Sequence, residues 1–171
     1  CLTWSPDKSK LAVNDGGKLI ILDPQGSIIL ENISSFTNKS LSWSPDAKSI
    51  VFEGYKGIYL LSIETNEREF LSVGGGPVFS PLGNSILFRK NNGLFTYNLS
   101  THFIDLFDDQ ITSIGYDWSP SGKNIVFFAA HADITQEIVL VDSASMKKKP
   151  LFNDHRLRNG LHVTFGSWPR W

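Results

Sequence analysis

Trp4-Ser5-Pro6-Asp7, Trp43-Ser44-Pro45-Asp46, Phe79-Ser80-Pro81-Leu82-Gly83 and Trp118-Ser119-Pro120-Ser121-Gly122 are four copies of one phrase, spaced 39, 36 and 39 residues apart. Seven positions after each aromatic begins an apolar trio: Leu11-Ala12-Val13, Ile50-Val51-Phe52, Ile86-Leu87-Phe88 and Ile125-Val126-Phe127. A second apolar run starts fifteen positions after the first three aromatics, at Leu19, Ile58 and Leu94, and twenty after the fourth, at Ile138. Offsets that recur in this way describe one structural unit used four times.

The second copy shows what the unit is. Ser40 to Trp43 is a short strand, and Ser44-Pro45-Asp46-Ala47 is a turn, with Pro presetting φ and Asp able to hydrogen-bond the backbone just beyond it. Ser49 to Glu53 is the next strand, followed by a turn at Gly54–Gly57. Ile58 to Ile63 is a third strand, Glu64-Thr65-Asn66-Glu67 a polar turn, and Arg68 to Leu71 a fourth strand. Four hairpin-connected strands in a repeat of about forty residues make a β-propeller blade. The second and third strands are almost continuously apolar, as in Leu19-Ile20-Ile21-Leu22 and Ile138-Val139-Leu140-Val141. Such strands are covered on both faces, which neighbouring blades would do. The fourth strands (Ser27–Leu30, Arg68–Leu71, Phe103–Phe107, Pro150–Phe152) are more polar, as an outer rim requires. The expectation is an all-β chain of four consecutive four-stranded antiparallel blades, part of a larger propeller. The blades cover about 1–38, 39–75, 76–113 and 114–161, and Pro169-Arg170-Trp171 opens a fifth repeat at 162–171.

Bulk composition adds bounds. Of 171 residues, 41% are hydrophobic and 19% charged, values typical of a soluble globular protein. A net charge of −1 gives no reason to expect nucleic acid or an anionic membrane surface as partner. No apolar run reaches the roughly 18 residues of a membrane-spanning helix. Cys1 is the single cysteine, so there is no intrachain disulfide and no Cys-based metal cluster. The first residue already lies inside a repeat, which suggests a processed form or an excerpt.

The phrase Trp-Ser-Pro-Asp followed by an apolar trio resembles the WD-like repeat of TolB-type β-propellers, and the resemblance runs through all four copies. It implies a periplasmic or otherwise extracytoplasmic scaffold that binds another protein or peptide, with no enzymatic activity and no cofactor; a cytoplasmic location is the alternative. Similar repeats build the regulatory propeller of prolyl-oligopeptidase-like serine peptidases and some metal-dependent polysaccharide lyases. These are the alternative functions, because a repeat constrains architecture more than activity. The copies depart from the phrase where Phe79 replaces Trp, where Leu82 and Ser121 replace Asp, and where Lys8 and Ala47 stand in place of Gly.

No catalytic constellation is legible. There is no Gly-x-Ser-x-Gly elbow, and Gly74-Gly75-Gly76 precedes a strand without the Lys-Ser/Thr of a phosphate loop. A lyase-type metal site would need His131, His155 and His162 to converge, and loop histidines are more commonly solvated. Lys147-Lys148-Lys149 is best understood as a solvated hairpin guarding an edge strand, and Trp4, Trp43 and Trp118 as packing between blades.

Topology points to one face for binding. The turns between second and third strands emerge on the same side as the connections between blades. That side carries both long insertions, 129–136 and 153–165. Loops on a rigid scaffold are where function concentrates. The candidate contacts there are Tyr55, Lys56, Arg89, Lys90, His131 and Arg156. If the blades stand alone, the first would leave Leu11, Val13, Ile20 and Leu22 uncovered, and the last Ile125, Phe127, Val139 and Val141. Remaining blades of a parent chain, or a second copy of this one, would then cover them.

Overall fold

The computed structural model describes residues 2–14, 17–33, 36–109, 115–130 and 136–153. They form sixteen strands. β1 (Leu2–Trp4), β2 (Leu11–Asn14), β3 (Lys18–Leu22) and β4 (Ile28–Ile33) make the first sheet. The second holds β5 (Phe36–Trp43), β6 (Ser49–Gly54), β7 (Gly57–Ser62) and β8 (Arg68–Ser72). The third holds β9 (Gly75–Phe79), β10 (Ser85–Lys90), β11 (Gly93–Asn98) and β12 (Ile104–Asp108). β13 (Tyr116–Trp118), β14 (Asn124–Ala130), β15 (Gln136–Asp142) and β16 (Lys148–Asn153) make the fourth. In every sheet each strand pairs antiparallel with its chain neighbour, so the fold is all-β with four four-stranded antiparallel sheets in chain order. The chain divides into two compact units, Cys1–Asp109 with three blades and Gln110–Trp171 with the fourth.

The repeated phrase folds into the same turn each time. The amide of the residue three after the Ser, the fourth of the turn counted from that Ser, donates to the Ser carbonyl, at 2.9 Å for Lys8 to Ser5, 3.0 Å for Ala47 to Ser44, 2.9 Å for Gly83 to Ser80 and 2.8 Å for Gly122 to Ser119. That fourth residue lies in the left-handed region, with φ of 60° at Lys8, 57° at Ala47, 73° at Gly83 and 68° at Gly122. This is a type I turn extended by one left-handed residue, a standard hairpin loop. Lys8 and Ala47 adopt it without being Gly, at a steric cost of about 1–2 kcal/mol each. Side chains offset that cost. Ser44 Oγ donates to Asp46 Oδ1 at 2.6 Å and accepts from the Ser49 amide at 2.9 Å, while Asp46 accepts from the Lys48 amide at 3.1 Å. Where Leu82 replaces Asp, Ser80 Oγ turns to Asn84 Oδ1 at 2.9 Å. In the fourth copy Ser119 Oγ and Ser121 Oγ approach to 3.3 Å.

Within the first unit the blades stack through one recurring contact. Trp43 is 4% exposed and packs with Leu41, Ile50, Phe52 and Leu61 against Ala12, Leu19, Ile21 and Leu30 of the first blade. Its indole Nε1 donates to the Thr3 carbonyl at 3.2 Å. Phe79, Ile86, Phe88 and Tyr97 of the third blade meet Val51, Ile58 and Leu71 of the second in the same way. Phe79 lacks an indole N–H, and there its backbone amide donates to Ser42 Oγ at 3.1 Å. Both faces of β6 are thereby buried, Ile50 and Phe52 on one and Val51 on the other, which explains its unbroken apolar sequence.

Two details correct the sequence reading. Leu11, Val13, Ile20 and Leu22 are half-buried as expected, but Ile125, Phe127, Val139 and Val141 are buried, and Val126, Phe128, Ile138 and Leu140 are the half-buried set. Side chains seven and nine positions after the repeat aromatic share its side of the sheet, as Ile50 and Phe52 do with Trp43. Alternation along a strand puts the half-buried set of the fourth blade on the other side of its sheet. Second, the lysine triplet is not confined to a hairpin tip, because β16 already begins at Lys148, paired with Val141.

The turn predicts an acid response. Asp7 accepts from Ser5 Oγ at 2.5 Å, the Ser9 amide at 3.0 Å and Ser9 Oγ at 2.8 Å. These bonds, that from Ser5 foremost, hold its carboxyl at about 2, below the ordinary 3.8. A depressed folded-state value contributes stability that is present above the unfolded value and is lost as pH falls through the folded one. Melting curves from neutral pH downward should show wild type losing stability between about pH 4 and pH 2, with a shallower loss in Asp7→Asn. Equal slopes would show that this carboxylate does not support the turn.

Candidate functional site

The turns between second and third strands and the connections between blades emerge at one end of the first unit. β6 and β7 pair from Ser49↔Ser62 to Gly54↔Gly57, leaving only Tyr55 and Lys56 in the turn. The hairpin is tight because two glycines flank it. At Gly57, with φ of +145°, a Cβ would collide with the Ser72 carbonyl oxygen, and at Gly54 one would meet the Tyr59 ring at 2.8 Å. Tyr55 stands 82% exposed. Lys56 is exposed beside it.

The next blade repeats the arrangement. β10 and β11 pair from Ser85↔Asn98 to Lys90↔Gly93, so Asn91 and Asn92 form the tip and Arg89 and Lys90 stand at its base. Both basic residues are half-buried, and Lys90 Nζ lies 5.9 Å from the centre of the Phe95 ring. A cation over an aromatic face is held there by about 0.5–1 kcal/mol at a partly exposed site. Phe95 is in turn stacked on Phe88 at 5.9 Å.

Between the two hairpins runs the connection Val73–Gly76. The Gly57 position abuts the Val73 backbone, and a Cβ on Gly74 would come within 2.6 Å of the Arg89 carbonyl oxygen. Gly75 pairs with Arg89 across β9 and β10. Glu53, at the end of β6, reaches into this connection and its Oε2 accepts from the Gly76 amide at 2.9 Å, while a Cβ on Gly75 would come within 2.5 Å of the same oxygen. The glycine triplet is therefore more than a loop: two of its members begin β9, and the missing side chains let a carboxylate of the preceding blade close on the backbone. That approach requires Gly at 75, while Gly74 and Gly76 also lie at positive φ, +149° and +66°. Glu53 and Val73, the latter 50% exposed beside the Tyr55 hairpin, were not singled out from sequence. The signal was present in the run of three glycines entering a strand.

Tyr55, Lys56, Arg89 and Lys90 are thus brought to one end of adjoining hairpins, on a base fixed by backbone contacts. His131 and Arg156, the other two expected contacts, lie outside the described residues, as do His155 and His162 of the lyase alternative. Among the described residues no three His, Cys, Asp or Glu side chains are grouped to hold a metal.

The groups with shifted titration lie elsewhere. Asp7 and Asp46 serve the repeat turn, and Asp23 and Asp142 serve other turns, each held low by hydrogen bonds from nearby residues. At the other end of the third blade, Tyr97 Oη and His102 Nδ1 lie 2.8 Å apart, and that nitrogen is 3.9 Å from Glu69 Oε1 of the second blade. Burial, helped by the Glu69 charge, pushes the Tyr97 phenol up. The pair ties the third blade's last turn to the second blade through its contact with Glu69.

The Glu53 contact is open to test. Glu53→Ala removes a charge-assisted acceptor, and the lost hydrogen bond should cost about 1–3 kcal/mol in urea unfolding. The Gly76 amide should then exchange with solvent faster, and unchanged exchange would mean that the carboxylate does not hold the connection.

No protein-family model and no curated protein matches the sequence. Solved structures do resemble it. TolB from Acinetobacter baumannii superposes with a TM-score of 0.67 at 18% identity, over 89% of this chain and 43% of that one. A protein from Agrobacterium tumefaciens provisionally described as TolB gives 0.59 at 20% identity, over 90% of this chain and 80% of that one. A Bacteroides uniformis protein provisionally described as a 6-phosphogluconolactonase gives 0.58 at 15% identity, over 88% and 52%. The chain spans less than half the length of the Acinetobacter protein. At these identities the likeness is one of fold, and the fold of this chain is a run of β-propeller blades of the kind found in TolB.

Proposed function

We propose that this chain is a non-enzymatic interaction scaffold that presents the hairpin end of its second and third blades to another protein or peptide. One observation carries the proposal. Tyr55 is almost fully exposed on a two-residue turn between paired strands, with Val73 exposed beside it and Lys56, Arg89 and Lys90 on the same end. A large aromatic and an Arg held on a rigid base are the residue types in which interfaces concentrate binding energy. Ordering costs on binding are small when the base is already fixed. His131 and Arg156 extend the same end in the proposal. The resemblance to TolB-type repeats supports a protein partner and an extracytoplasmic setting.

A second proposal, a lactonase-like propeller enzyme, draws on the third structural neighbour and on the three cations at this end, which suit a phosphorylated substrate. The two separate cleanly. Partners captured by crosslinking from an envelope extract of the source cell should bind Tyr55→Ala and Arg89→Ala more weakly by about 1–3 kcal/mol. Glu64→Ala, in the turn at the opposite end, should stay within about 0.5 kcal/mol. The scaffold proposal fails if Tyr55→Ala and Arg89→Ala bind as wild type does, or if the purified chain turns over 6-phosphogluconolactone.

A further inference from the structure

The outer edge of the third blade differs from the other three. β12 pairs only with β11, so its far side is the edge of the sheet. The Asn98 amide donates to the Phe103 carbonyl at 2.9 Å, and bonded and non-bonded pairs alternate along an antiparallel ladder. Asp105 therefore exchanges bonds with Thr96, and the amides and carbonyls of Ile104 and Leu106 point away from β11. Such a row is a template for a further strand unless the edge is guarded. The other outer strands carry guards. β4 bulges at Ile29, between its pairs at Ile28 and Leu30. β8 has Arg68 and Glu69, and β16 has Lys148, Lys149 and Pro150. In β12 the bulge comes only at Phe107, past the exposed stretch of Ile104, Asp105 and Leu106. Ile104 and Leu106 lie opposite Tyr97 and Phe95, on the side of the sheet seated against the second blade, and are still 39% and 54% exposed.

Charge selects the occupant. The stretch Phe103–Asp109 holds three aspartates and no Lys, Arg or Pro. Asp105 is exposed in the middle of the open stretch, and Asp109 is exposed just after the strand. Glu69 of the second blade stands near its start, 3.9 Å from His102 Nδ1. Lys90, over the Phe95 ring, is on the side of Leu106 and not of Asp105. A second copy of β12 laid antiparallel on the first and centred on the open stretch would set Asp105 against Asp105, and like charges directly opposite are destabilising. We infer that β12 takes up an extended segment of another protein as a fifth strand of its sheet, a segment that alternates apolar side chains with Lys or Arg. Its backbone bonds to Ile104 and Leu106, its apolar side chains lie beside theirs, and its basic side chain falls on the other face, opposite Asp105. This site uses an outer strand and not the Tyr55 and Arg89 hairpins, so neither proposal depends on the other.

Titration of the purified chain with a labelled, capped peptide of alternating Val and Lys tests it, beside a peptide of alternating Val and Glu. Wild type should bind the Lys peptide at least about tenfold more tightly, and Asp105→Lys should reverse the preference. Ile104→Pro keeps every charge but removes an outward amide and sets a ring where the added strand must lie. It should weaken binding at least about tenfold while keeping the β-sheet circular dichroism of wild type, because Pro is tolerated at an edge whose N–H faces solvent. In wild type the bound peptide should slow solvent exchange of the Ile104 and Leu106 amides, a readout that needs no variant. Tyr55→Ala should bind the peptide as wild type does. Equal affinity for the two peptides, an unreversed preference in Asp105→Lys, a folded Ile104→Pro that binds as wild type does, or unchanged exchange at Ile104 and Leu106 would each overturn the inference. So would slow exchange of those amides caused by self-association before any peptide is added.

Discussion

The contact on which the first unit depends is the seating of one blade's aromatic side on the far side of the blade before it. Trp43 and the side chains around it cover Ala12, Leu19 and Ile21, and Phe79 with Ile86 and Phe88 cover Val51 and Ile58. A large side chain moved fully out of water contributes roughly 1.5–3 kcal/mol, so several per interface outweigh any single polar contact in the molecule. The polar contacts decide register instead. An indole N–H on the Thr3 carbonyl and a backbone amide on Ser42 Oγ each fix how far one blade slides along the next.

The repeat turn makes that seating repeatable. Ser, Pro and Asp hold the chain at the end of each first strand, so the aromatic just before the turn always reaches the same height. The copies that drift show how much the turn tolerates. Leu82 removes the carboxylate and Asn84 takes over the Ser hydroxyl, while Lys8 and Ala47 accept a left-handed φ that Gly83 and Gly122 adopt freely. At the other end of the second and third blades the hairpin turns are only two residues long, and Tyr55 stands in solvent.

Much of this was legible in the sequence because the repeat supplies its own alignment. Fixed offsets from Trp4, Trp43, Phe79 and Trp118 located the first three strands of each blade, and runs such as Ile50-Val51-Phe52 announced two covered faces. What was not legible depends on geometry that no offset encodes. Which side of the sheet is half-buried in the last blade is one such feature, and the expectation at Ile125 and Phe127 fell on the wrong parity. The closing of Glu53 on Gly75 and Gly76 joins residues of different blades, and it left only a run of glycines as a trace. The extension of β5 back to Phe36 and of β16 to Lys148 reflects pairing that overrides weak strand preference.

The central claim is that the repeat aromatic of the second and third blades is an inter-blade residue, buried against the blade before it. Hydrogen exchange of the indole N–H groups, followed by NMR at concentrations too low for self-association, tests it most directly. Protection reports the opening free energy of the surrounding structure. The account predicts strong protection of the Trp43 indole, bonded to the Thr3 carbonyl, and faster exchange for Trp4, whose side chain is 50% exposed. Equal exchange at Trp4 and Trp43 would contradict it.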